Sequence, residues 1–212
     1  MPTSAKPFTL NLAPSAASAV SVCASQSPGA GAITLNGSLV SVGVATIGAA
    51  QFITLVSGGN DTGITFTVTG TDADGNAQTE AITGASAGTA TGTKFFKTVT
   101  GITHTGSVAT TLTSGNAITS VSPSFFPNNS VYPTNLGISI QLVSGTGTFA
   151  LNQTYETFQS YPADSVWFAH ATLTALSATA SGSLLFPVSA LRLRASASTS
   201  AVLRCQIVQA GI

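Results

Sequence analysis

Asp72, Asp74 and Asn76, in the run Thr71-Asp72-Ala73-Asp74-Gly75-Asn76, place oxygen ligands at alternate positions, and Glu80 adds a carboxylate nearby. That is the opening spacing of a calcium loop of the EF-hand kind. Such a loop closes on a bidentate glutamate, but Thr83 stands at that position. Asp-Gly is also a strong hairpin signal, because the turn needs positive φ and the aspartate can bond its own backbone. We therefore expect a hairpin here and no bound metal. Asn60-Asp61-Thr62-Gly63 reads as a second polar turn.

His104 and His170 are the only 2 histidines. A hydrolytic triad would need one of them beside an activated serine or cysteine and an orienting acid, and no nucleophile-elbow motif accompanies the many serines. His170 follows Trp167-Phe168 on a candidate strand, which suits a hydrogen-bonded structural histidine; His104 reads as an exposed strand end. Glycoside hydrolysis needs two flanking carboxylates. Of the 6 acids, Asp61, Asp72, Asp74, Glu80, Glu156 and Asp164, the first four gather around the two turns. The sequence predicts no enzyme and no cofactor.

Contact chemistry is better represented. Tyr155, Phe158, Tyr161, Trp167 and Phe168 concentrate the aromatic side chains. They suit either a carbohydrate-stacking surface or core and subunit packing. Arg192, Arg194 and Arg204 are half of the 6 Lys+Arg residues. Arg192 and Arg194 alternate with Leu191, Leu193 and Ala195, so they share one strand face. With Phe8, Leu10 and Leu12 near the N-terminus, Trp167 and these three arginines are the expected partner-binding residues.

The elements that must carry them follow from composition. Charged residues make up only 6% of the 212, and the mean hydropathy is +0.41, against about a quarter charged in ordinary soluble domains. At 43% hydrophobic the chain can still build a core, so the deficit does not indicate disorder. Net charge is +0 without a basic run, so nucleic acid is not an expected partner. No apolar run reaches a membrane span and no leader pattern opens the chain, so neither membrane nor secretion is expected. Cys23 and Cys205 stand in no metal-ligand spacing and are expected as unpaired apolar thiols.

Residues 1–31 hold Pro2, Pro7, Pro14 and Pro28 and read as an extended N-terminal arm with one short strand at Phe8 to Leu12. From Ile33 the period is two. Ile64, Phe66 and Val68 alternate with Thr65, Thr67 and Thr69, as on a half-buried strand. Similar segments are Ile33 to Leu35, Gln51 to Val56, Thr79 to Ile82, Phe95 to Thr100, Val108 to Leu112 and Ala117 to Val121. Ala85 to Thr93, rich in Gly and Thr, reads as a long loop. Pro123 to Asn129 breaks the rhythm. A second set then runs Gly137 to Val143, Gly147 to Leu151, Val166 to His170, Ser183 to Val188, Ala190 to Ala195 and Ala201 to Gln209. The expected fold is all-β: an arm at 1–31, a β-sandwich at 32–122, a linker at 123–130 and a second antiparallel sandwich at 131–212, jelly-roll or immunoglobulin-like.

Six stretches carry a resemblance. Gly43-Val44-Ala45-Thr46-Ile47, the run from Ser57 through Asp61 and Ile64 to Asp72, and Lys94-Phe95-Phe96-Lys97-Thr98-Val99 resemble structural proteins of tailed-bacteriophage virions. So do Val166-Trp167-Phe168-Ala169-His170, Phe186 to Leu193, and Gln206 to Gly211, which look like the closing sandwich of such proteins. The resemblance covers most of the chain beyond residue 33. It implies a head decoration or cement protein located in the virion and assembled in the host cytoplasm. Its partners would be the major capsid protein or other virion proteins and further copies of itself, as a dimer or trimer. The alternative it implies is a tail, neck or fibre-associated protein bearing a module for a host glycan.

Overall fold

A computed structural model of the chain describes residues 7–130, 135–156 and 166–209, with the side chains of 198–200 excepted. Among these residues there is no helix, and every strand pairing is antiparallel. Residues 1–6 of the arm expected at 1–31, and the aromatics Phe158 and Tyr161, lie outside the described residues.

The chain divides into two compact units: Pro14–Ser120, and Met1–Ala13 together with Val121–Ile212. In the first, β2 (Ser18–Gln26), β3 (Gly31–Ala32), β4 (Val40–Ser41), β5 (Val44–Ser57), β6 (Thr65–Thr71), β7 (Ala77–Thr83), β8 (Thr89–His104) and β9 (Leu112–Val121) follow in sequence. Their central order is β9-β5-β8-β6-β7, with β2 on β9, β3 on β8 and β4 on β5. Alternation places Ile53, Leu55, Phe66, Val68, Phe96, Val99 and Ile102 in one buried core, while threonines occupy much of the outer face. The β6–β7 hairpin closes at the Asp-Gly turn as expected. Asp72 Oδ1 accepts the Asp74 and Asn76 amides at 2.9 and 2.8 Å, and Gly75 has φ 87°. The Asp72 carboxylate is thereby engaged with its own turn.

In the second unit, β1 (Phe8–Leu12) pairs with β13 (Ala190–Gln209), which pairs along its length with β10 (Leu136–Thr154). β12 (Ala180–Leu184) lies on the first half of β10, and the short β11 (Phe168–Ala169) on its last turns. The strand expected at Phe8 to Leu12 is present, with Leu10 opposite Cys205 and Leu12 opposite Leu203.

The strands are longer than the turn residues suggest. Gly137–Val143 and Gly147–Leu151 merge into one 19-residue strand, and Ala190–Ala195 and Ala201–Gln209 into one of 20. The Ser144-Gly145-Thr146 stretch is a bulge, with Gly145 at φ 76°, rather than a turn. Bulges admit an extra residue without ending the ladder. Ala85 to Thr93 is likewise not all loop: Thr89, Ala90 and Thr91 pair with Val56, Leu55 and Thr54. Conversely, Ile33 to Leu35 and Val108 to Thr111 lie outside strands, although the Ile33 amide still donates to the Ile102 carbonyl at 2.9 Å.

Candidate partner-binding surface

Two neighbouring long strands build the face that carries the predicted arginines. Leu191, Leu193 and Ala195 of β13 are buried, so alternation turns Arg192 and Arg194 to the opposite side, where both are half-buried. Across the ladder Asn152 stands opposite Arg192 and Ala150 opposite Arg194, and Ala169 of β11 stands opposite Asn152 on the other edge. Trp167, two residues before Ala169, falls on the same face. The Arg192 guanidinium carbon lies 3.9 Å from the centre of the Trp167 ring, a cation–π arrangement.

Beside this pair runs an open groove of about 260 Å³, lined by Trp167, Arg194, Asn152, Thr148, Thr174 and Ser196 among others. Its wall beyond β10 is a loop that His170 holds together. His170 is buried, and its Nδ1 accepts the Thr172 and Leu173 amides, each at 3.2 Å, which puts the ring proton on Nε2. This is the structural histidine expected from the sequence. Leu173 and Leu176 then bond the backbone of Leu151 and Phe149, and Ala175 adopts φ 52° at the groove. Asn152 is only 6% exposed, and its Oδ1 is buried without a hydrogen-bond partner. At the other end, Glu156 Oε1 accepts the Val166 amide at 3.2 Å and so fixes the chain entering Trp167.

A second surface lies close in sequence. Phe168 alternates away from Trp167 and is 51% exposed; Leu185 is 68% exposed, and Tyr155, Val166 and Phe186 are each about half exposed. Tyr155 gathers the rings, with centroids 6.0 Å from Phe168 and 6.4 Å from Phe186. Its hydroxyl accepts Gln153 Nε2 at 2.7 Å. Apolar side chains clustered in water mark interaction sites more often than single exposed ones do.

The remaining predicted residues are dispersed. Arg204 is exposed, roughly 33 Å beyond Arg194 at about 3.3 Å per strand residue, and bonds Gln141 on β10. Leu10 and Leu12 are buried within their own unit, while Phe8 is partly exposed and its ring lies tilted against that of Phe125, with centroids 4.7 Å apart. His104 corrects the expectation of an exposed strand end. It is buried against Phe66, and its Nδ1 lies 2.6 Å from the Gly106 carbonyl. Asp61 is fully buried, accepting the Ala109 amide at 2.8 Å. Among the described residues, no three His, Cys, Asp or Glu side chains group as metal ligands.

Sequence reasoning missed Asn152 and the pair Leu185-Phe186. A lone asparagine inside a strand gives no periodic signal. Leu185-Phe186 before Pro187 reads as strand core until the end of β12 at Leu184 leaves it outside the sheet.

No protein-family model matches the chain, and no curated protein matches it in sequence.

Proposed function

We propose that the chain is a structural protein of a tailed-bacteriophage virion, a head decoration or cement protein that binds the capsid surface and stabilises the shell. In this reading the two units are antiparallel β-sandwich domains. The observation that carries it is the exposed ring cluster of Tyr155, Phe168 and Phe186, with the exposed Leu185 and Val166 next to it in sequence, on a chain with so few charges. Such a surface is stable in water only at modest area, and it gains most by being covered. Neutral, hydroxyl-rich surroundings add polar contacts without stranding charges that would be costly to desolvate. The resemblance of the Gly43–Val99 and Val166–Gly211 stretches to virion proteins points the same way. A cement protein adds interfacial area where capsid subunits meet, and repetition over equivalent sites turns a modest interface into a large total.

The test is to add the purified chain to expanded capsids that lack it. Binding should raise the capsid melting temperature, and a Phe168→Ser/Phe186→Ser variant, folded by circular dichroism, should lose that effect. Wild-type protein that leaves capsid stability unchanged would remove the reading. The groove beside Trp167 and Arg194 favours a second one, a tail, neck or fibre-associated protein with a receptor-binding module.

A further inference from the structure

The groove beside Trp167 combines three kinds of group. Arg194 supplies a guanidinium, and no acid pairs with it among the described residues. Thr148, Thr174 and Ser196 supply hydroxyls, and Trp167 supplies part of an aromatic wall. Asn152 adds the independent observation. Its side chain is more than nine-tenths buried in the groove lining, with Oδ1 unpartnered, although a buried amide acceptor left unsatisfied is costly. An apolar residue of similar shape would avoid that cost at a position flanked by Ala150 and Ala169.

We propose that this groove binds an anionic saccharide, a pyranose unit carrying one carboxylate. The carboxylate pairs with Arg194, whose planar fork suits bidentate contact. The ring's C–H face lies against Trp167, and its hydroxyls meet the Asn152 side-chain amide and the threonine and serine hydroxyls. A phosphate ligand would call for several converging cations or a nest of backbone amides, and here the second guanidinium, that of Arg192, lies over the Trp167 ring. An acidic peptide would leave the hydroxyl row without matching partners. The inference goes beyond the capsid reading and does not depend on it, because it concerns the isolated chain.

The experiment is calorimetric titration of the full chain with an oligogalacturonate and, in parallel, with its methyl ester. The acid should bind about tenfold or more tighter than the ester, the fold-change that one charge-assisted contact commands. Arg194→Gln, at a half-exposed site, should abolish that preference and leave the weak ester binding intact, whereas Trp167→Ala should weaken both ligands. Asn152→Leu should lower affinity for both while holding or raising the melting temperature, a combination that a purely structural asparagine would not give. Equal binding of acid and ester by the wild type, a preference that survives Arg194→Gln, or arginine-dependent binding of a glutamate-rich peptide in place of the uronate would each overturn the assignment.

Discussion

Gln51 and Ser15 grip each other reciprocally: the Ser15 amide donates to Gln51 Oε1 and Gln51 Nε2 donates to the Ser15 carbonyl, both at 3.0 Å. The same Nε2 also donates to the Ala117 carbonyl at 2.6 Å on β9, and the Gln51 side chain is completely buried. One amide therefore fastens the segment after β1 to two strands of the Pro14–Ser120 unit. Asn116 repeats the device, donating to the Ala16 carbonyl at 2.9 Å and accepting the Ser21 hydroxyl at 2.6 Å. Gln51→Leu keeps the volume but removes three hydrogen bonds. It should cost about 2–3 kcal/mol in urea denaturation, since the half-buried backbone groups recover water only in part. It should also open residues 14–20 to proteolysis. Unchanged stability would show that the segment is held by other contacts.

This clamp shows what the sequence could and could not reveal. The all-β class, the Asp72 hairpin and the shared face of Arg192 and Arg194 follow from local rules, alternation and turn chemistry, and those were legible. Gln51 sits mid-strand among apolar neighbours, and its partners are 36 and 66 positions away, so nothing nearby in sequence announces its role. Strand lengths failed for a related reason. Gly and Ser mark turns when local preference decides, but at Gly145 and in the Gly48-Ala49-Ala50 stretch ladder pairing on both sides outweighs it, and the chain bulges instead. Of the candidate surface, the arginines and Trp167 were readable from spacing. Asn152 and Phe186 became visible only once β10 and β12 fixed which face each strand presents and where it ends.

Lys97 shows how one such bulge is stabilised. Between Thr46 and Gln51 the pairing of β5 with β8 shifts register, and Lys97 Nζ donates to the Ile47 and Gly48 carbonyls at 2.6 and 2.7 Å. Burial lowers the pKa of this ammonium from 10.5, and the two carbonyls offset part of that desolvation. Lys97→Met retains the aliphatic stem and leaves both carbonyls without the ammonium, so it should destabilise the chain by about 1–3 kcal/mol. Hydrogen exchange should quicken at residues 46–51. Exchange that speeds up elsewhere but not in this stretch would argue against a local role.

At Gly70 backbone approach rather than side-chain chemistry decides the residue. A Cβ there would come within 1.9 Å of the Thr98 carbonyl oxygen, at a register shift between β6 and β8. The atoms it would meet are all backbone, of Thr98 and Val99, and cannot yield as a flexible side chain would. Gly70→Ala should therefore cost more than about 3 kcal/mol and lower soluble yield. Gly101→Ala, where an added Cβ meets nothing within 4 Å, is the matched control and should fall within about 1 kcal/mol of wild type. Similar losses in both variants would refute the steric account.

The thiols give the pH dependence. Cys205 is buried between β10 and β1, opposite Ile140 and Leu10, and burial pushes its pKa from 9.0 up to about 12. Cys23 is raised as well, chiefly by burial, against which the hydrogen bond from Gln26 Nε2 at 2.8 Å works. In the unfolded chain both thiols ionise near 9.0, whereas the folded form holds them protonated. Their effect on stability is therefore neutral below that pH, and stability is lost as the pH rises toward about 12, by up to ~4 kcal/mol for Cys205 alone. Lys97 acts with the opposite sign, because its desolvation penalty fades as the pH approaches 10.5, but a half-exposed ammonium should recover less than the buried thiol loses. Urea midpoints should fall between about pH 8 and pH 10.5. Cys205→Ala should flatten that fall even if it lowers the midpoint at neutral pH. At about pH 8 neither thiol should react with a disulfide reagent until denaturant is added, since the thiolate is the nucleophile. Cys205 titrated in the native protein, or an alkaline fall undiminished in Cys205→Ala, would show that the strand pairs around Cys205 admit water.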